Sequence, residues 1–221
     1  MKKITILVLL LFTGLLIACK NENKIESQEA KEVKKEKKST QTTTYNNVQK
    51  GSAIRWVGSI FGGMHSHKGS VDIKSANIIV KEGKVVNASV VVNMKSIDVF
   101  DYEKGTEDYN DLIGHLSNTD FFDVEKFPTA HFELTGIEAQ EEGNYNAKVS
   151  GNLKLLDVER NITFDANIKV KDNEVVIESA PFTIDRTQWG IDFHKEGTTG
   201  LDPNRIISNN IELKIDLIVS I

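Results

Sequence analysis

The feature that most constrains this chain is a strict alternation of apolar and polar residues over long stretches. Toward the C-terminus Ile211, Leu213, Ile215, Leu217, Val219 and Ile221 alternate with Asn210, Glu212, Lys214, Asp216 and Ser220, and only Ile218 breaks the polar set. The same period runs through Tyr145, Ala147, Val149, Gly151, Leu153 and Leu155, and again through Ile162, Phe164, Ala166, Ile168 and Val170. Successive side chains of a strand point to opposite faces, so each stretch has one dry face and one wet face. Turn signals separate the runs: Glu82-Gly83-Lys84, Glu141-Glu142-Gly143-Asn144 and Lys171-Asp172-Asn173 read as tight hairpin connections.

The pattern predicts eight strands, at about 52–61, 68–80, 84–95, 129–140, 144–156, 160–171, 174–186 and 206–220, and one short helix from Thr106 to Leu116 in the loop after the third strand. Long one-face-apolar antiparallel strands have two outlets. A two-sheet sandwich presses its dry faces shut, whereas a closed barrel removes both edges and encloses an interior wide enough for side chains or one small ligand. Strands of about 10–14 residues exceed the usual mode of about 5–6 and favour an all-β, eight-stranded antiparallel barrel.

The ends of the chain behave differently from this core. Lys2 and Lys3 precede an uncharged apolar run from Ile4 to Ile17, which at about 1.5 Å per residue falls short of a bilayer's hydrocarbon core of about 30 Å. It reads as a signal peptide over residues 1–18. It ends in Leu-Leu-Ile-Ala-Cys, with the chain's single cysteine, Cys19, last. That ending resembles a bacterial lipobox, which implies cleavage before Cys19 and acylation there with fatty-acyl chains such as palmitate, hence attachment to a membrane without crossing it. Lys20 is not the aspartate that resembles an inner-membrane retention signal, which favours the outer membrane, with the leaflet left open. One cysteine also excludes an intramolecular disulfide and any cysteine-rich metal cluster.

Residues 20–50 are rich in Lys, Glu, Gln, Ser and Thr, and read as a disordered charged tether, with a frayed helix around Glu26 to Lys38 and a root-mean-square reach of about 30 Å. Residues 51–221, the expected folded domain, hold 17 Lys and Arg against 27 Asp and Glu, a net of −10. That sign argues against a nucleic-acid partner. A homodimer is compatible with the sequence.

No strained nucleophile elbow, phosphate loop or paired-glycine dinucleotide signature is present, so nothing demands an enzyme or a cofactor. His65 and His67, two apart on a strand, point the same way and could share a metal, but no third ligand is evident nearby. The block His115 to Glu133 reads as a loop that plugs one end of the barrel. Phe121 and Phe122 supply the rings, Ser117 or Asn118 ends the helix, and Asp120 and Asp123 satisfy local backbone donors.

His115 to Phe132, HLSNTDFFDVEKFPTAHF, is similar to a recurring segment of the YceI-like family. Phe182 to Ile191, FTIDRTQWGI, resembles a second segment of that family, and Trp56 with His67-Lys68-Gly69 resembles its opening motif. The three motifs stand in the family's order and cover essentially all of residues 51–221. His115, Asp120, Phe121, Phe122, Asp123, Pro128, Arg186 and Gly190 match its recurring positions, and most of these are expected to be architectural. The chain departs from the family at Leu155 to Ile162, where a glycine-containing hairpin is common and Asp157 and Glu159 stand instead.

The resemblance implies a lipocalin-like barrel that binds a long-chain amphipathic lipid, such as a polyisoprenoid, an isoprenoid quinone or a fatty-acyl chain, at the bacterial envelope. The dry faces place the lumen lining at Val86, Val90 and Val92, then Phe132 and Leu134, Val149 and Leu153, Phe164 and Ile168, and Ile177, with Leu213 and Ile215 on the last strand. Trp189 suits the mouth, and Arg186 is expected to pair with a carboxylate at the rim or to contact a polar head group. The competing reading is a solid-cored envelope interaction or stress-associated domain without a ligand. A metal-assisted enzyme built on His65 and His67 is a more remote one.

Overall fold

The computed structural model describes residues 24–33, 42–60 and 64–221. The described strands are β1 (Gln28–Glu29), β2 (Thr42–Tyr45), β3 (Asn47–Val48), β4 (Ala53–Ile60), β5 (His65–Lys81), β6 (Lys84–Val99), β7 (Thr129–Ala139), β8 (Ala147–Leu155), β9 (Val158–Val170), β10 (Glu174–Ser179), β11 (Phe182–Asp185) and β12 (Ile207–Ser220). The helix α1 (Glu107–Ser117) lies between β6 and β7. Antiparallel neighbours follow chain order from β4 to β10, β10 and β11 both pair with β12, and β12 returns to β4 with Leu213 opposite Trp56. The result is a closed eight-stranded antiparallel barrel, in which β10 and β11 share one position in the wall.

The expected seventh strand, 174–186, is therefore two pieces. Pro181 lacks an N–H for the ladder and sits at the break between Ser179 and Phe182. α1 starts one residue later than predicted: the Thr106 side chain accepts from Tyr109 N as its N-cap. At the hairpin between β8 and β9, Leu155 pairs with Val158, and Leu156 takes the left-handed region at φ +52° in the turn. A glycine would adopt that conformation without strain, so the chain's departure from its motif is felt here.

Residues expected to form a disordered tether instead pack on the barrel, and where a frayed helix was expected around Glu26 to Lys38 the described residues carry the strand β1. β5 outruns β4, and its free edge is taken by β2, with Tyr45 opposite Ile78. Tyr45 is buried and donates from its hydroxyl to the Lys171 carbonyl at 3.0 Å, tying the strand to the hairpin end of the barrel. The run Thr42-Thr43-Thr44-Tyr45 has the β-branched and aromatic character of a strand, which a composition averaged over residues 20–50 hides.

Residues 24–31 form a strap across a seam in the wall. β10 reaches only the second half of β9, and β11 pairs with β12 alone among the strands, so β9 and β11 diverge. Into this gap comes the N-terminal segment: Ile25 N donates to the Thr183 carbonyl at 2.9 Å, β1 pairs with Arg160 and Asn161 of β9, and Ile25 packs against the core. Lys31 then crosses to β8, where its N–H and C=O both bond the side-chain amide of Asn152, at 3.0 and 2.7 Å. Asn152 in turn accepts from the buried Asn161 at 2.9 Å. Asn152→Ala removes both bonds to Lys31, and we expect trypsin to cleave at Lys24 and Lys31 faster in that variant while the barrel stays resistant. Equal cleavage rates would show that β1 and the contacts of Ile25 hold the strap without Asn152.

Candidate functional site

Two cavities are stacked along the barrel axis, one of about 430 Å³ toward the end carrying α1 and one of about 90 Å³ toward the tight hairpins. Ile54, Val92, Leu153 and Leu213 line both and form a waist between them. The larger volume lies in the range of small-molecule sites.

Most of the expected lining is there. Val90, Phe132, Leu134, Val149, Phe164, Ile168, Ile177 and Ile215 line the smaller cavity. Phe121, Phe122 and Arg186 line the larger one, and Val92, Leu153 and Leu213 touch both. Gly151 makes room for this wall, since a Cβ there would run into the Phe132 ring. Two expected residues are elsewhere. Ile79 pairs with Asn87 but Val80 pairs with Val85, so Val86 is the extra residue of a β-bulge, and Val85 takes the inward position in its place. Trp189, expected at the mouth, is 1% exposed and lines neither cavity; its Nε1 donates to the Leu153 carbonyl at 3.1 Å. It belongs to a 3-10 turn, Arg186–Trp189, capped by the Asp185 side chain and by Gly190 at φ +80°. Cys19 lies outside the described residues.

The larger cavity is roofed by α1 and two loops. Leu112, His115 and Leu116 of α1 face it, with Ile191, Phe193 and His194 from the long loop before β12. His115 makes edge contacts with Phe121 and Phe193 at 5.0 and 4.8 Å between centroids, so three rings join the two loops across the end of the barrel. This confirms an aromatic plug, but not the turn chemistry expected for it. Asn118 ends α1, its side chain accepts from Asp120 N at 2.7 Å, and its carbonyl accepts from Asp123 N at 2.8 Å. The Asp120 carboxylate faces His115 instead, at 3.4 Å.

Arg186 is the centre of this end. It is 1% exposed and is not paired with a carboxylate as expected: Nε donates to the Ser208 carbonyl, Nη1 to Ile191, and Nη2 to Phe193 and Ile207, at 2.6–3.2 Å. Its guanidinium lies 5.6 Å over the Phe121 ring. Burial pulls its pKa down, against the upward pull of Asp192, Asp185 and Glu196. One planar fork thus fixes the backbone of a loop that has no hydrophobic period of its own.

Helix α1 is pinned to the barrel through Asp98. Burial would raise the pKa of this carboxyl, but hydrogen bonds from Lys104, from the Tyr109 hydroxyl (2.8 Å) and from Val99 N outweigh it and hold the value below the ordinary 3.8. A depressed carboxylate pKa stabilises the fold above the unfolded value and loses that contribution as pH falls through the folded one. Acidification below about pH 4 is therefore expected to free α1 early. Amide exchange over Glu107–Ser117 would read this out, and an Asp98→Asn variant should lack the acid step.

The larger cavity is also walled by residues outside the expected lining, among them Trp56, His67, Met94, Ile97, Arg205 and Ile211. Gly69 stands opposite Trp56, and a Cβ there would meet the Asp98 carbonyl oxygen and the indole ring, so the motif glycine lets the indole lie against the wall. Trp56 Nε1, His67 Nδ1 and Asn210 Oδ1 are buried without a hydrogen-bond partner, His67 Nδ1 standing 3.5 Å from Asp101. Among the described residues no group of three or more His, Cys, Asp or Glu is placed to hold a metal ion.

Fold and site together define a lumen-bearing antiparallel barrel with an apolar two-chamber interior. YceI-like domains match residues 45–219, and the chain belongs to that family. Among solved structures it is similar to BcnA of Burkholderia cenocepacia (19% identity, TM-score 0.56, covering 76% of this chain and 95% of that one). It is similar also to a polyisoprenoid binding domain from Saccharophagus degradans implicated in plant cell wall breakdown (14% identity, TM-score 0.57, covering 80% and 99%). At these identities the likeness shows the fold. No curated protein matches the chain in sequence at a significant level.

Proposed function

We propose that this protein binds a long-chain amphiphile of the polyisoprenoid, isoprenoid-quinone or fatty-acyl type in its barrel and sequesters or carries it at the bacterial envelope, held to a membrane through acylated Cys19. The observation that carries the reading is the paired interior: a roomy chamber with polar groups in its wall shares a four-residue waist with a narrower one lined only by apolar side chains. The name of the Saccharophagus degradans relative, a polyisoprenoid binding domain, supports the same class of ligand. Burying ten to fifteen methylenes at ~0.8 kcal/mol each offers about 8–12 kcal/mol gross, from which association and chain ordering subtract. Selectivity for chain length is expected to be shallow.

Native mass spectrometry of the full chain isolated from its host membrane fraction tests this. A co-purifying amphiphile, together with diacyl or triacyl mass on Cys19, is the expected result. A ligand-free barrel that also ignores added fatty-acyl and farnesyl chains would overturn the binding role in favour of a structural one.

A further inference from the structure

The folded domain is acidic, with 27 Asp and Glu against 17 Lys and Arg over residues 51–221, yet no carboxylate lines either cavity. The charged side chains in the wall of the larger chamber are two arginines, Arg186 and Arg205, and His67, His115 and His194 join them. Of the three carboxylates that act on Arg186, two are turned to other cations: Asp185 meets Lys24 at 3.6 Å and Asp192 meets Lys195 at 3.1 Å. Arg205 sits in a short 3-10 turn, Pro203–Arg205, and its guanidinium has no hydrogen-bond or ion-pair partner among the described residues. Arg186 spends four donor contacts on carbonyls and none on an acid. The Trp56 ring lies in the same wall, with its Nε1 buried behind the surface of the chamber.

A chamber with a buried arginine in its wall, an exposed one at its rim and no carboxylate, in a domain that is acidic overall, favours one sign of guest. We propose that the amphiphile carries an anionic oxygen head, a carboxylate or a phosphate, held in the larger chamber against Arg205 with the Arg186 charge behind it, while its tail passes the waist into the smaller chamber. This rests on the binding role proposed above and narrows it to a ligand class. The direction of the tail follows from chemistry: the smaller chamber offers no polar side chain to a head, and the larger one offers donors and cations.

The test is a titration of the full chain with two chain-matched pairs, laurate against 1-dodecanol and farnesyl phosphate against farnesol. Each anion is expected to bind at least tenfold more tightly than its alcohol. Arg205→Gln, at an exposed turn, should shrink that ratio below threefold, and Arg205→Lys should restore most of it. Preference confined to one pair would support the proposal and tell a fatty carboxylate from a prenyl phosphate. A second readout is independent of affinity. The chain has two tryptophans, so of its two indole N–H resonances that of Trp56 should shift on binding the anions, while that of Trp189, fixed on Leu153, stays put. Equal affinities within each pair, or a preference untouched by Arg205→Gln, would overturn the anionic head and leave the binding role standing. Failure of all four compounds to bind would overturn both.

Discussion

Arg186→Met is expected to destabilise the protein by about 3–5 kcal/mol, the largest effect of any single substitution considered. The methionine fills part of the volume but donates nothing, and the carbonyls of Ser208, Ile191, Phe193 and Ile207 lose their common partner in a site from which water is excluded. The loop before β12 would detach, and with it Phe193 and the ring contacts that roof the larger chamber. Arg186→Lys should recover only part of the loss, because a compact ammonium cannot span carbonyls arranged for a planar fork. Denaturant midpoints of the two variants against the parent measure this. An unchanged midpoint for Arg186→Met would mean that water replaces the guanidinium at those carbonyls.

The second large effect is on binding. Leu213 lies at the waist with Ile54, Val92 and Leu153, opposite Trp56 on β4 and Phe182 on β11. Leu213→Trp should close the passage between the chambers. Chains long enough to cross it are expected to lose at least tenfold in affinity, while octyl-length chains that fit the larger chamber alone bind nearly as before. Overpacking a barrel wall costs about 1–3 kcal/mol, so the fold should survive the change. If long and short chains weaken equally, the chambers are not entered in series.

Much of this architecture is written in local pattern. Alternation along β8, β9 and β12 places Val149, Phe164 and Leu213 inward because the strand period is two and the barrel buries one face, and nothing tertiary needs to be known. Val86 shows where that logic stops: a single bulged residue reverses the phase, and a valine pair such as Val85-Val86 gives no hint which of the two faces in. The loop around Ile191, Phe193 and Arg205 carries no period at all, because its shape is set by one arginine reaching back to its carbonyls. Trp189 was legible as special through its motif, but its role is to lock a 3-10 turn onto β8 rather than to meet a guest. The strap escaped composition for a related reason. Its partners, Arg160 and Asn161 and Asn152, lie more than 120 residues away, and a polar segment needs only an open strand edge to dock.

The strap also changes how far the barrel can roam. With Cys19 acylated as proposed, the five residues from it to Lys24 extend to at most about 18 Å. The anchor therefore acts as a short mooring on the flank of the barrel rather than a swinging leash. Loading and unloading would take place within a protein's own radius of the lipid surface.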